Sequence, residues 1–250
     1  MELFIIEKNK VLVSPESLLI KEFKEPFDRR AVSTRKAKER LRERGDKATA
    51  EAVQEEAKII IAEWDESTKR GQRLHKQVQD KKAKTKSCIV EGWEDPKLKG
   101  FSSDPSQNTL KNNTTYIEKK IVSDKYKLVG YADEVEIKKN FIIIEDSKSS
   151  PVIYRNSAIR LKNGFVLPPK FYSHPLSHLQ ECNFNDAALQ MSLYMYLLWI
   201  HNKKMKPGKL YIRHIKTNTK DKIIDQPLIE VPYLRDEVKA MLKYRLENDL

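Results

Sequence analysis

What this 250-residue chain has little of narrows its chemistry. There are two cysteines, Cys88 and Cys182, far apart and outside any Cys-x-x-Cys spacing. That excludes a zinc ribbon or a four-cysteine iron–sulfur cluster, and it fits a reducing cytoplasm. None of the seven glycines belongs to a Gly-x-x-x-x-Gly-Lys loop, which argues against a nucleotide-driven motor. The most apolar run, MSLYMYLLWI, is too short to span a bilayer, so no membrane partner is expected. The opening MELFIIEKNK carries no basic-then-apolar signal pattern. Acidic residues are outnumbered, 36 against 48 Lys and Arg, which leaves a net charge of +12. A polyanionic partner is expected, nucleic acid first.

The positive charge is clustered. Residues 29–47 hold nine basic and three acidic side chains, and residues 69–86 hold eight and one. Each cluster describes a solvated helix face as well as a track for phosphates.

The pattern along the chain reads as α/β, a central mixed β-sheet flanked by helices. LFIIEKNKVLV is a short hairpin, and SPESLL a helix start with Ser14 as N-cap. Helix is expected from about Thr34 to Asp80, broken near Gly45. Val53, Ala57, Ile60, Ile61 and Trp64 recur at helical spacing, and Gly71 and His75 continue the same face. Residues 94–115 are rich in turn formers and read as a loop. Strands are predicted over Tyr116–Val122, Tyr126–Lys138 and Phe141–Ser149, then an irregular excursion over 150–183. A helix over about Asn185–His201, strands in KLYIRHIKT and KIIDQPLIEV, and a final amphipathic helix complete the order.

The segment GYADEVEIKKNFIIIEDSKSS, residues 130–150, carries the chemistry. With Lys139-Asn140 as a two-residue turn, Asp133 faces Asp146, on one face with Val135, Ile137, Ile142 and Ile144. Lys148 lies on that face one step further from the turn. Facing carboxylates repel, and beside an apolar face they are poorly solvated. Three resolutions are open: one carboxyl is protonated, Lys148 neutralises one, or a hard divalent cation binds between them.

GYADEV followed by IIIEDSKSS resembles the Asp…Asp-x-Lys core of the PD-(D/E)XK nuclease superfamily. EWDESTKRGQRLHK, with Gly71 and His75, resembles the Gly-x-x-x-His helix of its RecB-like branch. ALQMSLYMYLL, with Gln190 and Tyr194, resembles that branch's Gln-x-x-x-Tyr helix. The motifs come in the family's order over roughly residues 50–215, although Ala132 stands where a literal Pro-Asp would place proline. PLSHLQECN and the N-terminal SLLIKEFKEPFDRR resemble phage and large-virus nucleases of this type, phage-type exonucleases among them.

The resemblance implies a restriction-endonuclease-like core in one domain over residues 1–250. Residues 1–49 would form a hairpin and basic extension, 50–217 the catalytic core, and 218–250 a C-terminal strand and helix. It implies Mg²⁺ or Mn²⁺, held by His75, Asp133, Asp146 and the Ser147 carbonyl. Asp133, Asp146, Lys148, Gln190 and Tyr194 become the catalytic set. Gly71, Arg73, Gln190 and Tyr194 become substrate contacts, and Glu118 a further acidic candidate. Glu145 falls on the opposite hairpin face and is left out, and His178 reads as a structural loop histidine.

The expected activity is metal-dependent hydrolysis of phosphodiesters in linear DNA, single- or double-stranded. An exonuclease of recombination, repair or phage genome processing is implied, with a recombination or replication protein as possible partner. Its place would be the cytoplasm, that of a bacterial host if phage-encoded. The alternatives are a structure-specific or non-specific endonuclease of the superfamily, and an inactive nucleic-acid-binding protein with this fold.

Overall fold

A computed structural model of the chain describes residues 4–7, 10–13, 20–24, 27–85, 87–91, 105–160 and 166–248. The expected helix start at Ser14 and much of the expected 94–115 loop lie outside them. The architecture is α/β, with a mixed sheet flanked by helices.

The first hairpin is β1 (Phe4–Glu7) and β2 (Lys10–Val13). Helix α1 (Arg29–Arg44) begins where the Asp28 carboxylate accepts from Ala31 N–H at 2.9 Å, and it ends at Gly45. Gly45 adopts φ +79°, a left-handed conformation that glycine reaches without Cβ strain, and its N–H closes the last turn on Arg42 and Leu41 carbonyls. Helix α2 (Ala50–Thr85) follows, 36 residues and about 54 Å long.

The face of α2 that reads as continuous in sequence serves two different partners. Val53, Ala57 and Ile60 pack on Ala37 and Leu41 of α1. Beyond Trp64, Leu74 and Val78 pack on Ile215 at the end of the sheet. Periodicity identifies a buried stripe but not what buries it. The α1–α2 clamp also uses part of the basic cluster: Arg40 holds Glu63, and Arg44 holds Glu56 at 2.6 Å.

The central strands are β4 (Thr115–Ser123), β5 (Leu128–Lys138) and β6 (Phe141–Lys148). The β5–β6 turn is the two residues read from sequence. Lys139 and Asn140 have φ of +49° and +64°, the doubly left-handed turn that suits hairpin twist. A strand that the sequence reading passed over, β3 (Cys88–Val90), pairs parallel with β4. Short strands β7 (Ile159–Arg160) and β8 (Val166–Leu167) lie within the irregular excursion.

Helix α3 (Asn183–His201) crosses from β6 to the parallel strand β9 (Lys206–His214). Strands β10 (Lys216–Thr217), β11 (Ile223–Asp225) and β12 (Leu228–Val231) follow, the last pairing with β9. Helix α4 (Arg235–Glu247) closes the chain. The sheet has eight strands. Its main path is β1-β2-β5-β6-β9-β12, and β4 pairs with β5 and carries β3.

Helix α3 is buried nearly all round, as its apolar composition requires. It shares the main core with Val135, Ile137, Ile142 and Ile144 of the hairpin and with Val238, Met241 and Leu242 of α4. Among the described residues no helix is long and apolar enough to cross a membrane.

Candidate active site

The β5–β6 ladder ends at Glu134–Glu145. One residue further, side chains take over from backbone pairing. The Asp133 carboxylate accepts from Ser147 N–H at 2.6 Å, so the strands part into a fork with a carboxylate fixed in it. Asp133 and Asp146 are the next residues in register, as read from sequence. Ser147 takes part in the fork through its N–H.

The fork is met by α2. His75 Nε2 lies 3.0 Å from Asp133 Oδ2 and 3.8 Å from Glu118 Oε1. These three donor atoms lie within 4.8 Å of one another. Glu118 sits in β4 at φ +54°, with regular pairs Ile117–Glu134 and Lys119–Ala132 on either side and no change of register. A left-handed glutamate inside a strand costs about 1–3 kcal/mol and persists only where its surroundings hold it. Gln79, one turn beyond His75, contacts both the His75 ring nitrogen at 2.7 Å and the Glu118 carboxylate.

Lys148 completes the fork. Its ammonium is 2.9 Å from Asp146 Oδ2 and donates to Gln190 Oε1 at 3.3 Å, while Gln190 Nε2 donates to Tyr194 OH at 3.2 Å. The Lys148–Asp146 contact is a buried ion pair, with the ammonium as the cation nearest that carboxylate. An open cavity of about 300 Å³ reaches this point, lined by Gly71, Gln72, His75, Ser147, Lys148 and Ser149. Gly71 matters by lacking a Cβ, since one added there would stand 3.0 Å from Ser149 Oγ.

Electrostatics mark the fork as short of positive charge. Burial pushes the Asp146 carboxyl up to about 6, opposed by Lys148 and reinforced by Asp133. Burial also raises Glu118, again with Asp133 behind it. Burial by itself would lower His75, but the hydrogen bond and charge of Asp133, with Glu118 and Asp146, hold it above its usual value. A cation among these donors would reverse the carboxylate shifts.

The other expected residues fall as follows. Gln190 reaches Lys148 at 3.3 Å. Tyr194 is 3% exposed and belongs to the main core, so it steadies Gln190 from behind and offers no face to a substrate. Arg73 points to solvent, paired with Glu66 at 2.9 Å, outside the cavity lining. Asp146 stands beside Lys148, while Glu118 takes the third place in the tight donor cluster. His178 meets Glu237 of α4 at 3.1 Å.

Three residues went unread in the sequence: Gln79, Lys82 and Arg213. Gln79 and Lys82 follow His75 by four and seven residues, so helical spacing alone places them on its stripe. Lys82 pairs with both Glu134 and Glu145, and Arg213 grips Glu145 through two nitrogens, Nη2 at 2.7 Å from Oε2.

No family model matches the chain, and a search of curated proteins finds no relative.

Proposed function

We propose that the chain is a metal-dependent DNA nuclease with a restriction-endonuclease-like core of the RecB type, cutting phosphodiesters in linear DNA. One observation carries the reading: His75, Glu118 and Asp133 converge at the strand fork, with Asp146, Lys148 and Gln190 adjoining. One imidazole and two carboxylates form a donor set for a hard to borderline divalent ion, and the imidazole favours Mn²⁺ over Mg²⁺. Asp146, next in register to Asp133 across the fork, would join them.

A bound ion supplies positive charge that acidifies water and polarises phosphate. The protein's own groups do the rest. Ser147 N–H fixes one Asp133 oxygen, and Gln79 restrains His75 and Glu118 together. Gln190, steadied by Tyr194, and Asp146 hold the Lys148 ammonium at the cavity wall, where it neutralises charge growing on a phosphate oxygen. Gly71 keeps the opposite wall low. The exonuclease mode, and a role in recombination, repair or phage genome processing, rest on the motif resemblance.

End-labelled linear and covalently closed circular DNA, each with Mn²⁺ or Mg²⁺, test the proposal with Asp133→Ala alongside. Linear DNA is degraded by the wild type and spared by the variant. Cleaved closed circles identify an endonuclease instead. Equal activity in Asp133→Ala rejects the site. Tight DNA binding without cleavage identifies an inactive fold.

A further inference from the structure

The basic cluster on α1 separates into two groups. Arg29, Arg40 and Arg44 are committed to carboxylates of α2 and the α1–α2 turn. Arg30, Arg35, Lys38 and Arg42 are exposed and make no ion pair among the described residues. Arg30, Thr34, Arg35 and Lys38 line one surface concavity of about 470 Å³. Its single carboxylate, Asp28, is turned into the helix start by its bond to Ala31 N–H.

Phe27, next in the chain to the groove residue Asp28, is 67% exposed. Its ring lies 5.9 Å from that of Trp64, tilted at 54°. The Arg29 guanidinium and Lys36 ammonium lie 5.8 and 5.4 Å from the Trp64 ring. Phe27 thus holds a π-face open to solvent, next to a Trp64 ring that already carries two cations.

We infer that Phe27 and the α1 groove bind single-stranded DNA, with one base stacked on Phe27 and the phosphates following Arg30, Arg35 and Lys38. The choice of a single strand comes from the ring. Duplex bases hide their faces in the stack, so an exposed phenyl gains from unpaired bases only. The inference rests on the nuclease reading for its direction. Trp64 precedes His75 by eleven residues on α2, about three turns and 16 Å along one face. Over that span the platform holds a strand only a few nucleotides from the fork. The substrate or product strand is therefore an unpaired one.

Anisotropy of labelled dT12 on the full chain in EDTA tests this without catalysis, with the dT12·dA12 duplex and poly-glutamate as rivals. Expected results are tighter binding of the single strand than of either rival, and about tenfold weaker single-strand binding in Phe27→Ala with duplex binding unchanged. Phe27→Trp restores affinity. Replacing Arg30, Arg35 and Lys38 with Gln lowers the slope of log affinity against log salt by about 2, near 0.7 for each lost phosphate contact. Unchanged single-strand affinity in Phe27→Ala overturns the inference, as does equal binding of the duplex or poly-glutamate. Binding without cleavage in the wild type removes the nuclease reading and leaves the platform. Cleavage with no effect of the platform variants removes the platform alone.

Discussion

The β5–β6 hairpin carries an acidic pair on each of its two faces. Glu134 and Glu145 face each other within the ladder, 4% and 8% exposed. Asp133 and Asp146 come next in register, on the other face, and are as deeply buried. The first pair is answered by protein cations: Lys82 bridges both carboxylates and Arg213 grips one. The second pair has Lys148 on one acid, and His75 on the other shared with Glu118. Two acids opposed inside a fold need positive charge. On one face the chain supplies it permanently, and the result is structure. On the other the supply is incomplete and a cavity opens onto the deficit, which is the arrangement of a site.

The comparison breaks first at Lys82. In Lys82→Met, Glu134 and Glu145 stay buried with Arg213 reaching only the second, and stability in urea falls by about 3–5 kcal/mol, the usual cost of uncovering a buried charge. That is a large share of a typical domain's total. Restoring balance with Glu134→Gln in the same chain recovers most of the loss. A cost under about 1 kcal/mol would mean that this face does not depend on its cations, and the contrast between the faces would fail.

Lys148 tests the other face. Lys148→Ala reduces cleavage of labelled linear DNA by about 10²–10³-fold, the effect of losing one group aimed at developing charge. Its stability falls as well, because the buried Asp146 loses the cation beside it, though by less than in Lys82→Met, since the ammonium is 30% exposed and serves one acid. Lys82→Met, measured at a temperature where it is folded, keeps more activity than Lys148→Ala. The reverse order would exchange the roles assigned to the two faces.

The contrast between the faces is also a contrast in what a sequence displays. The hairpin turn, the alternation and the register of Asp133 with Asp146 are local, and Lys139-Asn140 displays them directly. The order of helices and strands is legible for the same reason. The Lys82–Glu134–Glu145–Arg213 network is not, because it joins positions 63 and 68 residues apart in the chain whose meeting depends on how α2 crosses the sheet. Glu118 is no more than a further acidic candidate in sequence, because its position depends on a left-handed backbone and nothing in TYIEKKIVS announces that. The pairing of β3 with β4 likewise spans residues 88–117, and a three-residue strand has too short a pattern to signal it.

The smallest expected effect gives the sharpest distinction, because its sign depends on the medium. Asp146 titrates near 6 in the fold against an ordinary 3.8, so the folded chain holds that proton more tightly than the unfolded one. Stability contributed by the protonated acid is present at low pH and falls as pH rises from about 4 to 6. Above 6 the loss is complete, at most about 3 kcal/mol for a shift of this size. Asp146→Asn removes the buried charge, so in EDTA at pH 7.5 the variant is about 1–2 kcal/mol more stable than wild type, and near pH 4 the two converge. Added Mn²⁺ acts the other way, raising the wild-type melting temperature more than that of the variant. A variant less stable than wild type in EDTA at pH 7.5 would show that Lys148 already satisfies Asp146. Both hairpin faces would then be structural, and the fork would have no charge deficit for an ion to fill.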